Sequence, residues 1–230
     1  MNSSRKIAII VGVLFIIGTV AGILSVVFTS SILYAPDYLV TVSANETQIK
    51  IGALFVLIMG FSLAMVPVML YPIFKKHNEI LALGYVVLRS VLETVTYIAI
   101  GVCMLLLLNL SQDYVKAEVL NPSNYQNLGA ILLKARELGS LSTIFIFGLG
   151  ALMFYVLLFQ SKLIPRWLSI WGFIAIALHL GTGLLIMFGL QSETSALNTI
   201  MNFPIFLQEM VMAVWLIVKG FNSNVINLIS

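Results

Sequence analysis

Charge is what this sequence has least of: Asp, Glu, Lys and Arg together make up 9% of its 230 residues, where soluble domains carry about a quarter. That scarcity excludes an ordinary water-soluble domain. Cysteine is nearly missing as well; the lone Cys103 closes no intrachain disulfide and, inside an apolar run, reads as core filling. His77 and His179 are the only histidines, too few to supply the three or more ligands of a catalytic zinc, so no metal and no cofactor is expected. No glycine-rich phosphate loop and no Gly-x-Ser-x-Gly elbow occurs, and no catalytic residue is assigned. An intramembrane enzyme acting on lipid stays open, without an evident nucleophile and base to carry it. The formal charge is +3, but the basic residues stand singly or in pairs and form no nucleic-acid patch.

What is abundant is apolar: 60% of the residues are hydrophobic and the mean hydropathy is +1.07. A spanning helix needs about 20 predominantly apolar residues, and six such runs occur, near 7–28, 51–74, 80–108, 138–159, 167–190 and 200–218. These predict an all-α fold, a single membrane domain over 1–230 built as a bundle of about six transmembrane helices. The first run, preceded by Arg5 and Lys6, is too long for a signal peptide and contains Gly18-x-x-x-Gly22, a close-packing pair. Counted on alternate sides, Arg5, Lys6, Lys75, Lys76, Lys162, Arg166 and Lys219 oppose Lys50, Lys116, Lys134 and Arg136. The richer side is expected to be cytoplasmic, and with it both termini.

Ser43-x-x-Glu46 has the spacing of a capping box at the start of the second helix. Pro122 suits a first helical turn, and Leu128, Ile131, Leu132, Ala135 and Leu138 follow at helical spacing; this stripe predicts a short helix on the outer surface or an extension of the fourth span. Pro165 reads as the end of a turn, Arg166 as a partner of lipid phosphates and Trp167 as a boundary anchor.

The third run carries Arg89 and Glu93, the sixth Glu209. Fourteen Leu, Ile and Val between positions 83 and 108 favour insertion by about 4–8 kcal/mol, against about 5–7 for two central charges. The third helix is therefore marginal unless Arg89 and Glu93, four apart on one face, neutralise each other. Glu209 and His179 fall at similar depth. The sequence thus points to an intramembrane polar cluster of Arg89, Glu93, Glu209 and His179, with Tyr97 and Gln208 as hydrogen-bonding neighbours. Formally it is one negative charge in excess, a surplus that a proton on Glu209, a protonated His179, a bound cation or an amine-bearing ligand would remove. Other readings stand beside it: Arg89 snorkelling to the inner boundary, Glu209 as a structural tie, His179 as a packing histidine, and Pro67 as a kink without function.

Leu157-Leu-Phe-Gln-Ser-Lys-Leu-Ile-Pro-Arg-Trp-Leu-Ser-Ile-Trp-Gly172, Leu88-Arg-Ser-Val-Leu-Glu93, and Gln208-Glu209 followed by Ala213-Val-Trp-Leu-Ile-Val-Lys-Gly-Phe-Asn222 together resemble a bacterial membrane family known as domain of unknown function 4386. The resemblance spans almost the whole chain. It implies a bacterial multi-pass protein of the cytoplasmic membrane and implies no activity. The functional expectation is binding of a lipid or small amphiphile, or relay of protons, at the Arg/Glu cluster. The alternative is an accessory or structural membrane subunit whose buried charges fix helix packing. Membrane lipids are the expected partners, nucleic acid is not, and the sequence designates no protein partner.

Overall fold

The computed structural model describes residues 3–116 and 122–229; Glu118, inside the second long connection, and both terminal residues lie outside them. The elements are α1 (Ser3–Leu33), α2 (Tyr38–Ala44), α3 (Glu46–Phe74), α4 (Glu79–Val86), a π-helical turn (Val87–Leu92), α5 (Glu93–Lys116), α6 (Pro122–Ser161), α7 (Arg166–Met187), α8 (Ala196–Val218) and α9 (Ser223–Ile229). Among the described residues six helices are long and apolar enough to cross a membrane, with α4, the π turn and α5 counting as one. The chain is a multi-pass, all-α membrane bundle.

Most of the helices outrun the apolar runs that announced them, whereas α7 stops at Met187, short of the expected end at 190. A hydrophobic run stops at the first polar residues, whereas a helix continues through the interfacial region until something ends its backbone hydrogen bonding. The largest case is α6, 40 residues in one piece. Pro122 is its first residue, and the stripe from Leu128 to Leu138 extends the fourth span instead of lying apart on the surface. The capping box does not form. Ser43 belongs to α2, Asn45 stands between α2 and α3 with no side-chain cap bond, and Glu46 pairs with Lys50 one turn on. Side-chain caps occur instead at Asn78, which accepts from the Leu81 N–H at 3.0 Å, and Ser195, which accepts from the Asn198 N–H at 3.1 Å.

Packing follows a closed ring. In order, α1 lies against α3, α3 against α5, α5 against α6, α6 against α7 and α7 against α8, and α8 returns to α1. Short connections make each neighbour antiparallel. Small residues bring the first two spans together: a Cβ on Gly18 would meet the Leu63 side chain at 2.7 Å, and one on Gly22 the Met59 sulfur at 2.7 Å, as expected where dispersion drives helix association in lipid. Phe15, Phe74, Tyr85, Phe154 and Tyr155 form an aromatic core in one half of the bundle. Ile49, Val56, Met104 and Leu107 fill the other half. Ile17, Val20, Leu54, Phe61, Val95 and Val102 face outward, which costs nothing when the solvent is hydrocarbon.

The seam between α1 and α8 closes tightly at the end that bears Lys75, Lys76, Lys162, Arg166 and Lys219, the basic face. There the Arg5 guanidinium donates to the Leu216, Ile217 and Val218 carbonyls at 3.0, 2.6 and 3.1 Å, satisfying the orphan acceptors of the α8 terminus.

Candidate functional site: a polar pocket inside the ring

Two turns into the third span the α-helix gives way to the π turn, in which the Glu93 N–H reaches back five residues to the Leu88 carbonyl. A π turn inserts a residue and re-aims the side chains around it, a local cost met mostly at functional positions. It points Arg89 into the ring. Arg89 and Glu93 are 3% and 0% exposed, and Arg89 Nη1 bridges Glu93 Oε1 at 2.7 Å and Oε2 at 2.9 Å. Arg89 is therefore buried and does not snorkel to the boundary. The Tyr97 hydroxyl donates to Glu93 Oε1 at 2.9 Å. Ser90, beside Arg89, donates at 2.6 Å to the Ala64 carbonyl of α3, just before Pro67, where that helix lacks a backbone donor. This bond ties the π turn to α3.

Glu209 enters from α8. Its Oε1 lies 3.5 Å from Arg89 Nη2, an ion pair but a looser one, and its side chain keeps 15% exposure. The Arg89 guanidinium also sits over the Phe147 ring of α6, 4.4 Å from its centroid. His179 meets the same ring edge-on at 4.9 Å. Phe147 thus separates His179 from the charges while placing both at one cavity. Of His179, Nδ1 lies 2.5 Å from Asn202 Oδ1, and Nε2 is buried without a partner among the described residues.

The cavity measures about 480 Å³ and is lined from all six spans. Its polar end is Arg89, Tyr97, Thr143, His179, Asn202 and Glu209; Gly18, Gly22, Ile23, Val26 and Val27 of α1 form an apolar wall. Ile23, Val26, Val27 and Phe206 are also exposed on the outside of the bundle, so the pocket opens sideways between α1 and α8, on the side of the seam away from the basic face. By the rise of 1.5 Å per residue, Arg89 lies about 15 Å from the start of α4 and Glu209 about 14 Å from the end of α8, so both charges stand at the same depth.

Gln208 does not join the cluster. It is 0% exposed and turns the other way, its Oε1 accepting from the Tyr155 hydroxyl at 2.7 Å and its Nε2 donating to the Leu168 carbonyl at 3.1 Å. Residues 208 and 209 are about 100° apart on the helix, and the ring places an aromatic core on one side and the cavity on the other. Pro165 stands at the start of α7, Arg166 covers the Phe159 ring at 4.9 Å, and Trp167 packs with Trp171 and Trp215; all three lie at the basic face, away from the cluster.

The sequence reading missed the route on the far side. Asn202 donates to Asn198 Oδ1 at 2.7 Å, Thr182 donates to the same oxygen at 3.0 Å, and Asn198 Nδ2 donates to the Glu193 carbonyl at 2.5 Å. Gln191 donates to the Thr182 hydroxyl. A hydrogen-bonded ladder thus runs from the α7–α8 connection down to His179. Burial pushes the Glu193 carboxyl at its mouth above the ordinary value. The signal was the spacing of Asn198 and Asn202, four apart on α8, and of His179 and Thr182, three apart on α7, each pair on one helix face.

The sequence model of the family described as Domain of unknown function (DUF4386) matches residues 10–220, a span that includes Arg89, Glu93, His179 and Glu209. No curated protein and no solved structure matches the chain.

Proposed function

The chain belongs to the DUF4386 family, and we propose that it binds a lipid or small amphiphile in the pocket inside its helix ring. The polar head would sit between Glu209, Arg89 and His179, and the hydrocarbon part along α1 towards the opening. The observation that carries this reading is the combination in one cavity of about 480 Å³ of an apolar wall open to the bilayer and a polar end with unspent hydrogen-bonding capacity. Ligand pockets have this composition, mostly apolar with a few convergent polar groups.

The charges favour a particular head. Arg89 is engaged by Glu93 through two short bonds and by Glu209 through one long contact, so the site holds one more acid than base. A head that brings a protonated amine relieves that surplus at Glu209, and an amine or hydroxyl donor offers a partner to His179. Binding, not a proton relay, is the reading the apolar wall supports. We place the protein in a bacterial cytoplasmic membrane with the basic face inward, supported by the excess of Lys and Arg there; the pocket then opens towards the outer leaflet.

Native mass spectrometry of protein extracted gently from its own membrane tests the proposal. Wild type should carry a defined small molecule or lipid that Glu209→Gln loses while its thermal midpoint holds. An empty wild type, or a variant that unfolds earlier without change in bound mass, leaves the accessory-subunit reading, in which the Arg89–Glu93 bridge only fixes packing.

A further inference from the structure

At the basic face, remote from the pocket inside the ring, a second cavity of about 510 Å³ lies among the α6–α7 turn, the end of α8 and the turn into α9. Lys162, Arg166 and Lys219 line it with Trp215, Asn222 and Ser223, and among the described residues no acidic one does. All three cations are exposed, and among the described residues none forms a salt bridge. The cavity is held in shape: the Asn222 N–H donates to the Leu163 carbonyl at 2.9 Å, and the Phe159 ring under Arg166 fixes its guanidinium by a cation–π contact.

The backbone gives an independent sign. Lys162 follows the end of α6 with φ +57°, the left-handed conformation in which Gly or Asn is the low-cost residue. Gly220 takes the equivalent place after α8, at φ +75°. At the α6 end the chain keeps a lysine where glycine would be easier, and that lysine lines the cavity.

An apolar track leaves the rim. Trp167, which meets Trp215 edge-on at 6.5 Å, is exposed together with Ile170 and Ile174 along α7, and Val214 and Val218 are exposed along α8. These residues run from the basic face towards the middle of the bilayer, as acyl chains below a head group would. Basic pockets between spanning helices at a membrane surface recognise anionic lipid head groups.

We propose that Lys162, Arg166 and Lys219 form a binding site for a phosphate-bearing anion, and that its source is the head group of an anionic phospholipid lying against α7 and α8. The chemistry is a phosphate monoanion held by three cations and the Ser223 hydroxyl, with Trp215 and Trp167 flanking the glycerol region.

The test uses the delipidated full chain in neutral detergent, offered phosphatidylglycerol, phosphatidylcholine or inorganic phosphate, with bound lipid read by native mass spectrometry. Wild type should retain phosphatidylglycerol at least tenfold better than phosphatidylcholine. The triple variant Lys162→Gln, Arg166→Gln, Lys219→Gln should lose that preference while eluting as a folded monodisperse species. The charge-keeping pair Lys162→Arg, Lys219→Arg should keep it and covers the case in which the triple variant misfolds. Lys75→Gln with Lys76→Gln, on the same face but outside the cavity, should also keep it. Equal loss in that control, or an undiminished preference in a folded triple variant, overturns the site. Inorganic phosphate displacing the lipid at millimolar concentration overturns the lipid as its source.

Discussion

Consecutive residues of α8 serve two polar regions built on opposite terms. Around Gln208 the side chain is sealed, with its Oε1 2.7 Å from the Tyr155 hydroxyl and its Nε2 3.1 Å from the Leu168 carbonyl, so the region ties α6, α7 and α8 together. Around Glu209 the contact to Arg89 is long, part of the side chain reaches a cavity, and the neighbouring His179 Nε2 has no partner among the described residues. A saturated polar group in a dry core specifies packing. A group left short of partners beside a cavity is costly to the fold alone and is explained by something that binds there. Arg89 stands between the two, bound tightly to the sealed Glu93 on one side and lining the cavity on the other.

The comparison breaks most visibly at Arg89. Arg89→Met leaves two buried acids without their cation and should cost about 3–5 kcal/mol, read as a large drop in thermal midpoint in detergent; adding Glu93→Gln should recover part of it. Gln208→Leu removes two interhelical bonds and should cost about 1–2 kcal/mol with bound ligand unchanged, because its role is packing. Glu209→Gln should do the reverse, holding the midpoint while ligand retention falls about tenfold, a difference of about 1.4 kcal/mol in binding. If Gln208→Leu lowers ligand content and Glu209→Gln lowers stability, the two regions have been assigned the wrong way round. The smallest effect belongs to Tyr97→Phe, which deletes one bond to Glu93 within α5 and should cost about 0.6 kcal/mol, the size of an average bond between spanning helices.

Parts of this division were legible in the residues. The four-residue spacing of Arg89 and Glu93 and the cost of carrying either alone through lipid favoured a closed pair over an Arg89 that snorkels to the boundary, and the pair closes. Glu209 in a span otherwise free of formal charge called for a partner, and Arg89 is that partner. Gln208 was placed with the wrong group because adjacency along a chain says nothing of direction: one residue of helix turns a side chain by about 100°, and only the position of α6 and α7 reveals what it meets. His179 lines the cavity with Arg89 and Glu209, yet its hydrogen bond goes to Asn202, whose polarity was unremarkable in a span that begins in a polar connection. The capping box at Ser43 failed for a related reason, since α2 takes Ser43 into its helix interior.

By itself, the sequence determined that the chain lives in a membrane, how many times it crosses and roughly where, because hydrocarbon admits only apolar helices that satisfy their own backbone and these requirements are local. It also made an Arg89–Glu93 pair the simplest way to hold the third span in the bilayer. Tertiary structure alone decided that the helices close into a ring with α8 returning to α1, that a π turn aims Arg89 inward, and that Glu209 and His179 face one cavity while Gln208 faces away. Those outcomes depend on helix rotation and on contacts between residues far apart in the chain, and hydrophobicity, being nearly uniform around most of these spans, carries little information about either.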